Sequence, residues 1–179
     1  MNKKRSEYLR RPDRAVAALV RAWSGIPLSI RAVNFLFQRV FRLNADVPYS
    51  VHFTSRVIVG KGITIGRNVW KSFALSGGCL IQGGNGISIG DDTIFAPGVK
   101  IISANHDPGN AMKWKPQPSV KIGRGCWLGA NAVVLPGVEL GDHVVVGAGA
   151  VVATSFPSPA TVVGVPARQV AGQDGCASP

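Results

Sequence analysis

The chain has 179 residues, 46% of them hydrophobic, so it is long and apolar enough to fold around its own core. Its formal net charge of +11 favours an anionic partner, such as nucleic acid, a phospholipid surface or a polyphosphorylated ligand. No apolar run reaches the roughly 18 residues of a membrane-spanning helix, and the basic N-terminus lacks a signal peptide's apolar segment and cleavage site. We therefore expect a protein that is neither exported by such a signal nor threaded through a bilayer.

Residues 1–50 are predicted to form a basic helical arm. Residues 14–23 have apolar residues on one side of a first helix, and Ser24, Gly25 and Pro27 end it. A second helix is expected at about 30–43, with arginines opposite an apolar side that comprises Ile30, Val33, Leu36, Phe37, Val40, Phe41 and Leu43. Two hypotheses remain open for this arm. Either the apolar side of the second helix caps the fold that follows, or the arm binds a membrane surface, chiefly through the first helix and the leading basic tail.

From Ile122 to Phe156 the sequence repeats every six residues. The first positions are aliphatic (Ile122, Leu128, Val134, Leu140, Val146, Val152) and the fifth positions are small or apolar (Cys126, Ala132, Val138, Val144, Ala150, Phe156). This period fits neither a helix nor an alternating strand. It predicts one short strand and one corner per repeat, with three repeats closing a coil. Glycine follows the aliphatic residue in four repeats and is expected to permit the turn at each corner.

The same period extends backwards to Phe53. Lys71, Gly77 and Gly83 are poor first positions, which predicts an irregular coil near 71–88, but the fifth positions from Val57 to Asn105 hold the register through it. Residues 107–115 interrupt the repeat, and repeat proteins place such insertions on a working face. The repeats resume at residue 116, residues 158–170 leave the spiral, and residues 171–179 are predicted to be disordered.

The predicted fold is therefore all-β: a parallel β-helix of hexapeptide repeats over residues 51–170, preceded by two N-terminal α-helices. The hexad resembles that of the left-handed kind of β-helix. The three cysteines, Cys79, Cys126 and Cys176, are scattered and odd in number, which predicts reduced thiols and a cytoplasmic protein.

Residues 53–170 resemble the hexapeptide-repeat acyltransferases. The resemblance lies in SANHD ahead of the insertion, in GCWLGANAVVLPGVELGDHVVVGAGAVV and in the closing VVGVPAR. Within the family it is greatest to the maltose and galactoside O-acetyltransferases and to those of surface-polysaccharide pathways. It implies acetyl-CoA as the acyl donor, a carbohydrate acceptor that could be lipid-linked, no metal, and a homotrimer with CoA bound between neighbouring β-helices.

The resemblance assigns His106 as the general base that takes the proton of an acceptor hydroxyl. Imidazole suits this role because it is largely neutral, yet basic, near neutral pH. His52 and His143 are expected to be ordinary surface or edge residues. Asp107, as the immediate neighbour of His106, is expected to form a turn.

Three residues are candidates for binding the acceptor. Asn105 is expected at an interior fifth position, where its amide either fixes the turn that presents His106 or touches the acceptor. Asn85 stands near where related sugar acetyltransferases carry an acid, which argues against maltose or a simple galactoside as acceptor. Trp114 could stack on a sugar ring from the inserted loop, or the loop could be disordered and make no contact.

The resemblance also places CoA on the late repeats. It matches Gly129, Ala130, Gly147 and Ala148 to the backbone that contacts pantetheine, and Arg168 to a phosphate contact. Trp127 either walls the cleft or supports a trimer contact. Where relatives often have a Thr-Lys pair, this chain has Ala153 and Thr154, which removes one phosphate contact.

An N-acyltransferase acting on a nucleotide-linked amino sugar is the alternative function. A zinc carbonic anhydrase of the same fold is disfavoured because the three histidines are widely spaced. A nucleic-acid binder would leave the histidine beside the insertion unexplained. The acceptor, the acylated group and the acyl chain length do not follow from the sequence.

Overall fold

The structure is a computed structural model that describes residues 25–170. The predicted first helix, the basic residues before it and the tail from residue 171 lie outside this range. Two helices are present, α1 (Leu28–Phe35), which continues as a π-helical turn (Leu36–Val40), and α2 (Trp70–Leu75); Gly60–Gly62 forms a 3-10 turn. The strands are β1 (Arg56–Ile58), β2 (Ile63–Ile65), β3 (Leu80–Gln82), β4 (Ile87–Ile89), β5 (Ile94–Phe95), β6 (Lys100–Ile102), β7 (His106–Asp107), β8 (Asn110–Trp114), β9 (Val120–Ile122), β10 (Trp127–Leu128), β11 (Val133–Val134), β12 (Glu139–Leu140), β13 (Val145–Val146), β14 (Val151–Val152), β15 (Thr161–Val163) and β16 (Arg168–Gln169).

Three sheets of mostly parallel strands form the body of the protein. Sheet A contains β1, β3, β6, β11 and β14, and sheet B contains β2, β4, β9 and β12. Sheet C contains β5, β10, β13 and β15, with β16 antiparallel at its edge. From β9 onwards the chain visits sheets B, C and A in turn, so that Val133 pairs with Val151 and Trp127 with Val145. The predicted all-β class with parallel pairing is confirmed.

The core consists of the first and fifth positions of the repeats. These side chains are at most 3% exposed: Ile122, Cys126, Leu128, Ala132, Val134, Val138, Leu140, Val144, Val146, Ala150 and Val152. Burying one Val or Leu side chain contributes about 1.5–3 kcal/mol, so the stack is held chiefly by this column. Cys79 and Cys126 are free and buried, and burial raises the pKa of both thiols, which makes them poor nucleophiles.

The repeated glycines serve a different purpose from the predicted one. A Cβ added to Gly123 would lie 2.5 Å from the carbonyl carbon of Gly141 in the next coil, so glycine is needed there for close stacking of backbones. The left-handed turn falls two residues later. Every sixth residue there has φ between 57° and 76°, namely Gly125, Asn131, Gly137, His143 and Gly149.

The early coils confirm the predicted irregularity, but the predicted register is wrong in β1 and β3. Ile81, assigned to a fifth position, pairs with Val57 and Ile101, and Ile101 pairs with the first-position residue Val134. From Ile81 to Ile89 the chain advances eight residues instead of six between sheets A and B. Helix α2 stands where a strand of sheet C would be, with the ring of Phe73 against that of Phe95 in sheet C at 5.0 Å.

The first coil is capped by side-chain amides. Asn44 accepts a hydrogen bond from the Val57 amide (2.8 Å) and donates one to the Ser55 carbonyl (2.9 Å), as a neighbouring strand would. Asn34 accepts one from the Phe53 amide (3.1 Å), and Gln38 accepts one from Val51 and donates one to Tyr49. These three carboxamides are buried and satisfy backbone groups that a preceding coil would otherwise pair.

The apolar side of the second helix contributes to this cap only in part, because Ile30, Val33, Phe37 and Leu43 are half-buried whereas Leu36, Val40 and Phe41 are exposed. Phe37 contacts Phe53, with ring centroids 5.3 Å apart, but most of the other large apolar residues of the segment point outward. The helix begins at Leu28 and its π-helical turn ends at Val40, slightly earlier than the predicted 30–43. Within residues 25–170 no helix is long and apolar enough to cross a bilayer.

Candidate active site

The insertion after sheet A is an ordered β-hairpin. Strand β7, with His106, pairs antiparallel with β8, and His106 lies opposite Trp114. The Gly109 amide donates a hydrogen bond of 2.7 Å to Asp107 Oδ1 across the connecting turn, which confirms the turn-forming role expected of Asp107. The hairpin leaves the coil at the corner between sheets A and B, where β11 and β12 of the regular repeats are joined by only four residues.

His106 is exposed on this hairpin. Within residues 25–170 no hydrogen bond or ion pair engages its imidazole, so both ring nitrogens are open to a substrate. The strand pair therefore places His106 at the edge of the coil, with its ring facing solvent. An accessible imidazole is what a general base requires.

Asn85 ties the base of the hairpin to the preceding coil. Its Nδ2 donates to the Ser103 carbonyl before the hairpin and to the Lys115 carbonyl after it, at 3.0 Å each. The backbone amide of Asn85 also donates a hydrogen bond to Ser103 Oγ at 3.0 Å. Both hydrogens of the side-chain amide are used in this way, which leaves its oxygen as the atom available to an acceptor.

The ring of Trp114 packs on Gly84. A Cβ on Gly84 would lie 2.8 Å from Trp114 Cε3, so only glycine leaves room for the indole there. The ring is still 38% exposed. The hypothesis of a disordered loop without contacts is therefore wrong, and Trp114 presents an aromatic surface beside His106.

Asn105 does not occupy the interior position predicted for it. Its side chain is exposed, and Ser103 and Ala104 are buried instead, because the chain leaves the coil after β6 to enter the hairpin. The Asn105 carbonyl accepts a hydrogen bond of 2.8 Å from the Lys115 amide, which closes the hairpin. Its side chain remains free to point toward a ligand near His106.

The residues predicted to bind CoA line sheet C and the corner between sheets C and A. Trp127 on β10 is 53% exposed on the outer face of sheet C. The Gly129 and Gly147 amides donate to Val146 and Val162 in the ladder (2.7 and 2.8 Å), and a Cβ on either glycine would meet the next coil. Coil stacking therefore accounts for both glycines.

Ala130 and Ala148 follow these glycines on successive coils. Among the described residues their amides donate no hydrogen bond, and both lie at the outer corner. Arg168 is exposed on β16, at the edge of the same sheet, and its Nη1 donates to the Ala167 carbonyl at 2.9 Å. The candidate CoA residues thus share one side of the coil.

The other histidines lie apart from this site. His52 stacks on Phe53 and its Nδ1 lies 2.9 Å from Thr54 Oγ1, and partial burial lowers its pKa. His143 is exposed at a left-handed corner. In the described part of the chain no three His, Cys, Asp or Glu side chains converge as a metal site would require.

Sequence and structure comparisons agree with this architecture. Residues 119–154 match the bacterial transferase hexapeptide (six repeats) model. Over 130 residues the chain is 32% identical to galactoside O-acetyltransferase of Escherichia coli (strain K12), covering 71% of this chain and 60% of that protein. Over 94 residues it is 39% identical to WbbJ of the same organism, named as an O-acetyl transferase of lipopolysaccharide biosynthesis, covering 46% and 48%.

A solved acetyltransferase structure also resembles this chain. The hexapeptide-repeat acetyltransferase VCA0836 of Vibrio cholerae, complexed with acetyl-CoA, is 28% identical with a TM-score of 0.56, covering 65% of this chain and 63% of that one. The predicted resemblance to the hexapeptide-repeat acyltransferases is thereby confirmed. The chain spans about half to three-fifths of the length of the curated relatives it matches.

Proposed function

We propose that this protein is an O-acetyltransferase that moves an acetyl group from acetyl-CoA to a carbohydrate hydroxyl in surface-polysaccharide biosynthesis. The observation that carries the proposal is the free imidazole of His106, held by an ordered hairpin on a hexapeptide-repeat scaffold. The names of the galactoside and lipopolysaccharide relatives support the reaction and the acceptor class. The proposal includes the left-handed course of the coils and a cytoplasmic location. It also includes a division into an arm (1–50), a catalytic domain (51–170) and a tail (171–179).

In this mechanism His106 acts as the general base. Its imidazole takes the proton of the acceptor hydroxyl while that oxygen attacks the thioester carbonyl of acetyl-CoA. The C–S bond then breaks, the acetyl ester forms, and the proton passes from imidazolium to the departing CoA thiolate. No net proton is lost, so His106 returns to its neutral form.

The acceptor is proposed to lie against the exposed face of Trp114, with Asn105 and the free Oδ1 of Asn85 within reach of its hydroxyl groups. A pyranose ring buries its apolar face well on an indole. The absence of an acid at Asn85 fits an acceptor that differs from a simple galactoside. The role of Asn85 in holding the hairpin is independent of that contact.

The proposed CoA site follows sheet C. The unpaired amides of Ala130 and Ala148 suit the carbonyls of the pantetheine arm, Trp127 would form its wall, and Arg168 would meet a phosphate. Gly129 and Gly147 contribute by letting the coils stack closely rather than by donating their amides. VCA0836, whose complex contains acetyl-CoA, supports this choice of donor.

The two halves of this site lie at different corners of one chain. The His106 hairpin leaves between sheets A and B, whereas the CoA residues lie on sheet C and at the corner between C and A. We therefore infer that the site is completed by a second copy in a cyclic homotrimer, as heterologous contacts close into rings. Light scattering that showed a fully active monomer would contradict this arrangement.

The test is thiol release from acetyl-CoA with a panel of acceptors. The panel pairs each neutral sugar with the amino sugar of the same stereochemistry, free and nucleotide-linked. We expect turnover with hydroxyl acceptors, and product analysis should find an alkali-labile ester. Turnover confined to amines, with an alkali-stable amide product, would instead establish the alternative N-acetyltransferase acting on a nucleotide-linked amino sugar.

A further inference from the structure

The segment from Leu28 to Phe41 presents five large apolar side chains to solvent, whereas Ile30, Val33 and Phe37 are half-buried. Its inner side carries the buried capping carboxamides of Asn34 and Gln38. The large apolar side chains on the outside, here called the outer surface, are between 43% and 74% exposed: Leu28, Phe35, Leu36, Val40 and Phe41. A contiguous apolar surface of this kind marks a binding site.

The charge around the outer surface has one sign. Arg39 and Arg42 are exposed beside it, and no acidic residue occurs between Gly25 and Ala45. The first 42 residues of the sequence contain 10 of the chain's 20 lysines and arginines but only Glu7 and Asp13 as acids. A partner for this surface must therefore offer both an apolar region and negative charge.

We propose that the outer surface inserts into the interface of an anionic lipid bilayer, with Arg39 and Arg42 at the level of the headgroups. An anionic bilayer offers hydrocarbon and negative phosphates in a single surface. Two other occupants of the outer surface are less suitable. A second copy of the chain would bring the same arginines against one another. Residues 14–23 of the same chain carry Arg14 and Arg21 and would also add positive charge. Membrane attachment does not depend on the proposed acetyl transfer, but it would place the enzyme beside an acceptor carried on lipid.

Sedimentation of the full-length protein with vesicles tests the proposal. The vesicles are phosphatidylcholine alone or mixed with phosphatidylglycerol, at low salt. The double variant Phe35→Ser/Val40→Ser removes apolar area and keeps every charge. Its matched control is Val165→Ser/Val170→Ser, which changes two exposed apolar residues at the opposite end of the coil stack.

We expect the wild type to bind the anionic vesicles and not the neutral ones. Phe35→Ser/Val40→Ser should weaken binding about tenfold or more because apolar burial is lost, and the control should bind as the wild type does. Arg39→Gln/Arg42→Gln should weaken binding about fivefold for each arginine removed. Thermal unfolding and light scattering are measured on every variant.

Three outcomes would overturn the proposal. The first is a wild type that ignores anionic vesicles, and the second is a Phe35→Ser/Val40→Ser protein that binds them normally. The third is a double variant with a lowered melting temperature or a smaller assembly, since residues 14–23 or a second copy would then cover the outer surface. Acetyl transfer to a soluble acceptor is measured in parallel, so a failure of the proposed enzyme activity is seen separately.

Discussion

The late coils (residues 119–154) and the early coils (residues 51–115) use the same three sheets in different ways. In the late coils every repeat has six residues, one strand and one left-handed corner. In the early coils a helix replaces a strand, steps of eight residues replace steps of six, and a hairpin replaces a corner. All the candidate acceptor residues come from the early coils. The regular repeats supply a stable stack, and the departures from regularity supply the shape that a substrate can recognise.

The largest effect is expected at the hairpin. His106→Ala should lower kcat by about 10²–10⁴, the range for loss of a general base, and leave the KM for acetyl-CoA nearly unchanged. Steady-state kinetics would measure this. His143→Ala is the matched control, because His143 is an exposed histidine of the regular coils and should retain full activity. Near-normal turnover of His106→Ala with a hydroxyl acceptor would disprove the proposed base.

The next effect concerns the two kinds of glycine in the late coils. Gly123→Ala should destabilise the fold by about 3 kcal/mol or more, because its Cβ would lie 2.5 Å from backbone of the next coil. Gly149→Ala has no atom within 4 Å of its Cβ and a φ of 69°, so its cost is about 1–2 kcal/mol from the left-handed conformation alone. Urea unfolding compares the two variants. If Gly149→Ala were the more damaging, turn geometry rather than coil stacking would be the dominant constraint.

Asn85 distinguishes a positioning role from a direct contact with the acceptor. Asn85→Ala removes two hydrogen bonds to the ends of the hairpin and should cost about 1–3 kcal/mol of stability. A misplaced His106 should lower kcat about tenfold or more, because misplacement by an ångström is costly. A rise in acceptor KM with kcat and stability preserved would show that Asn85 serves only to bind the acceptor. Asn131→Gly, at a corner asparagine whose φ of 57° glycine readily adopts, serves as the control for stability.

The smallest effect is expected on stability at acid pH, and it should be similar in the early and the late coils. The Arg124 amide lowers the pKa of Asp142 in the late coils, and hydrogen bonds from Asn68 and Arg67 lower that of Asp92 in the early coils. Because both carboxyls bind protons more weakly when folded, their contribution is present above the unfolded pKa of about 3.9 and is lost as pH falls through the folded value. The urea midpoint should therefore decline below about pH 4. Asp142→Asn should flatten that decline, and a slope unchanged in this variant would contradict the assignment.

The sequence predicts the late coils well because one residue type at one position decides each contact. Leu128 and Val134 are buried as the six-residue period requires, and the same period gives the parallel pairing. It does not predict the early register, because the eight-residue step from Ile81 to Ile89 keeps apolar residues at plausible intervals and so hides the shift. The interior position predicted for Asn105 is wrong for another reason: the chain leaves the coil there to form the hairpin, and Ser103 and Ala104 are buried instead.

The candidate site can be predicted from the sequence, but the hydrogen bonds that support it cannot. His106 and Trp114 stand out because they flank the interruption of a repeat. The clamp by Asn85 depends on two carbonyls at Ser103 and Lys115, far apart in sequence, and no local pattern reveals them. The capping carboxamides were also missed, although Asn34 and Gln38, four residues apart on one side of a helix, are a usable signal of a polar buried side.

The capping carboxamides also affect whether copies of the protein can associate end to end. A stack of parallel strands is open at both ends, and an uncovered end is a template on which another chain can add in register. Asn44 already occupies both the donor at Val57 and the acceptor at Ser55, so an arriving strand finds no free group there. The cap therefore blocks linear polymerisation at this end. Because side-chain amides make these hydrogen bonds, the exposed apolar side chains of the preceding helix remain available for a different partner.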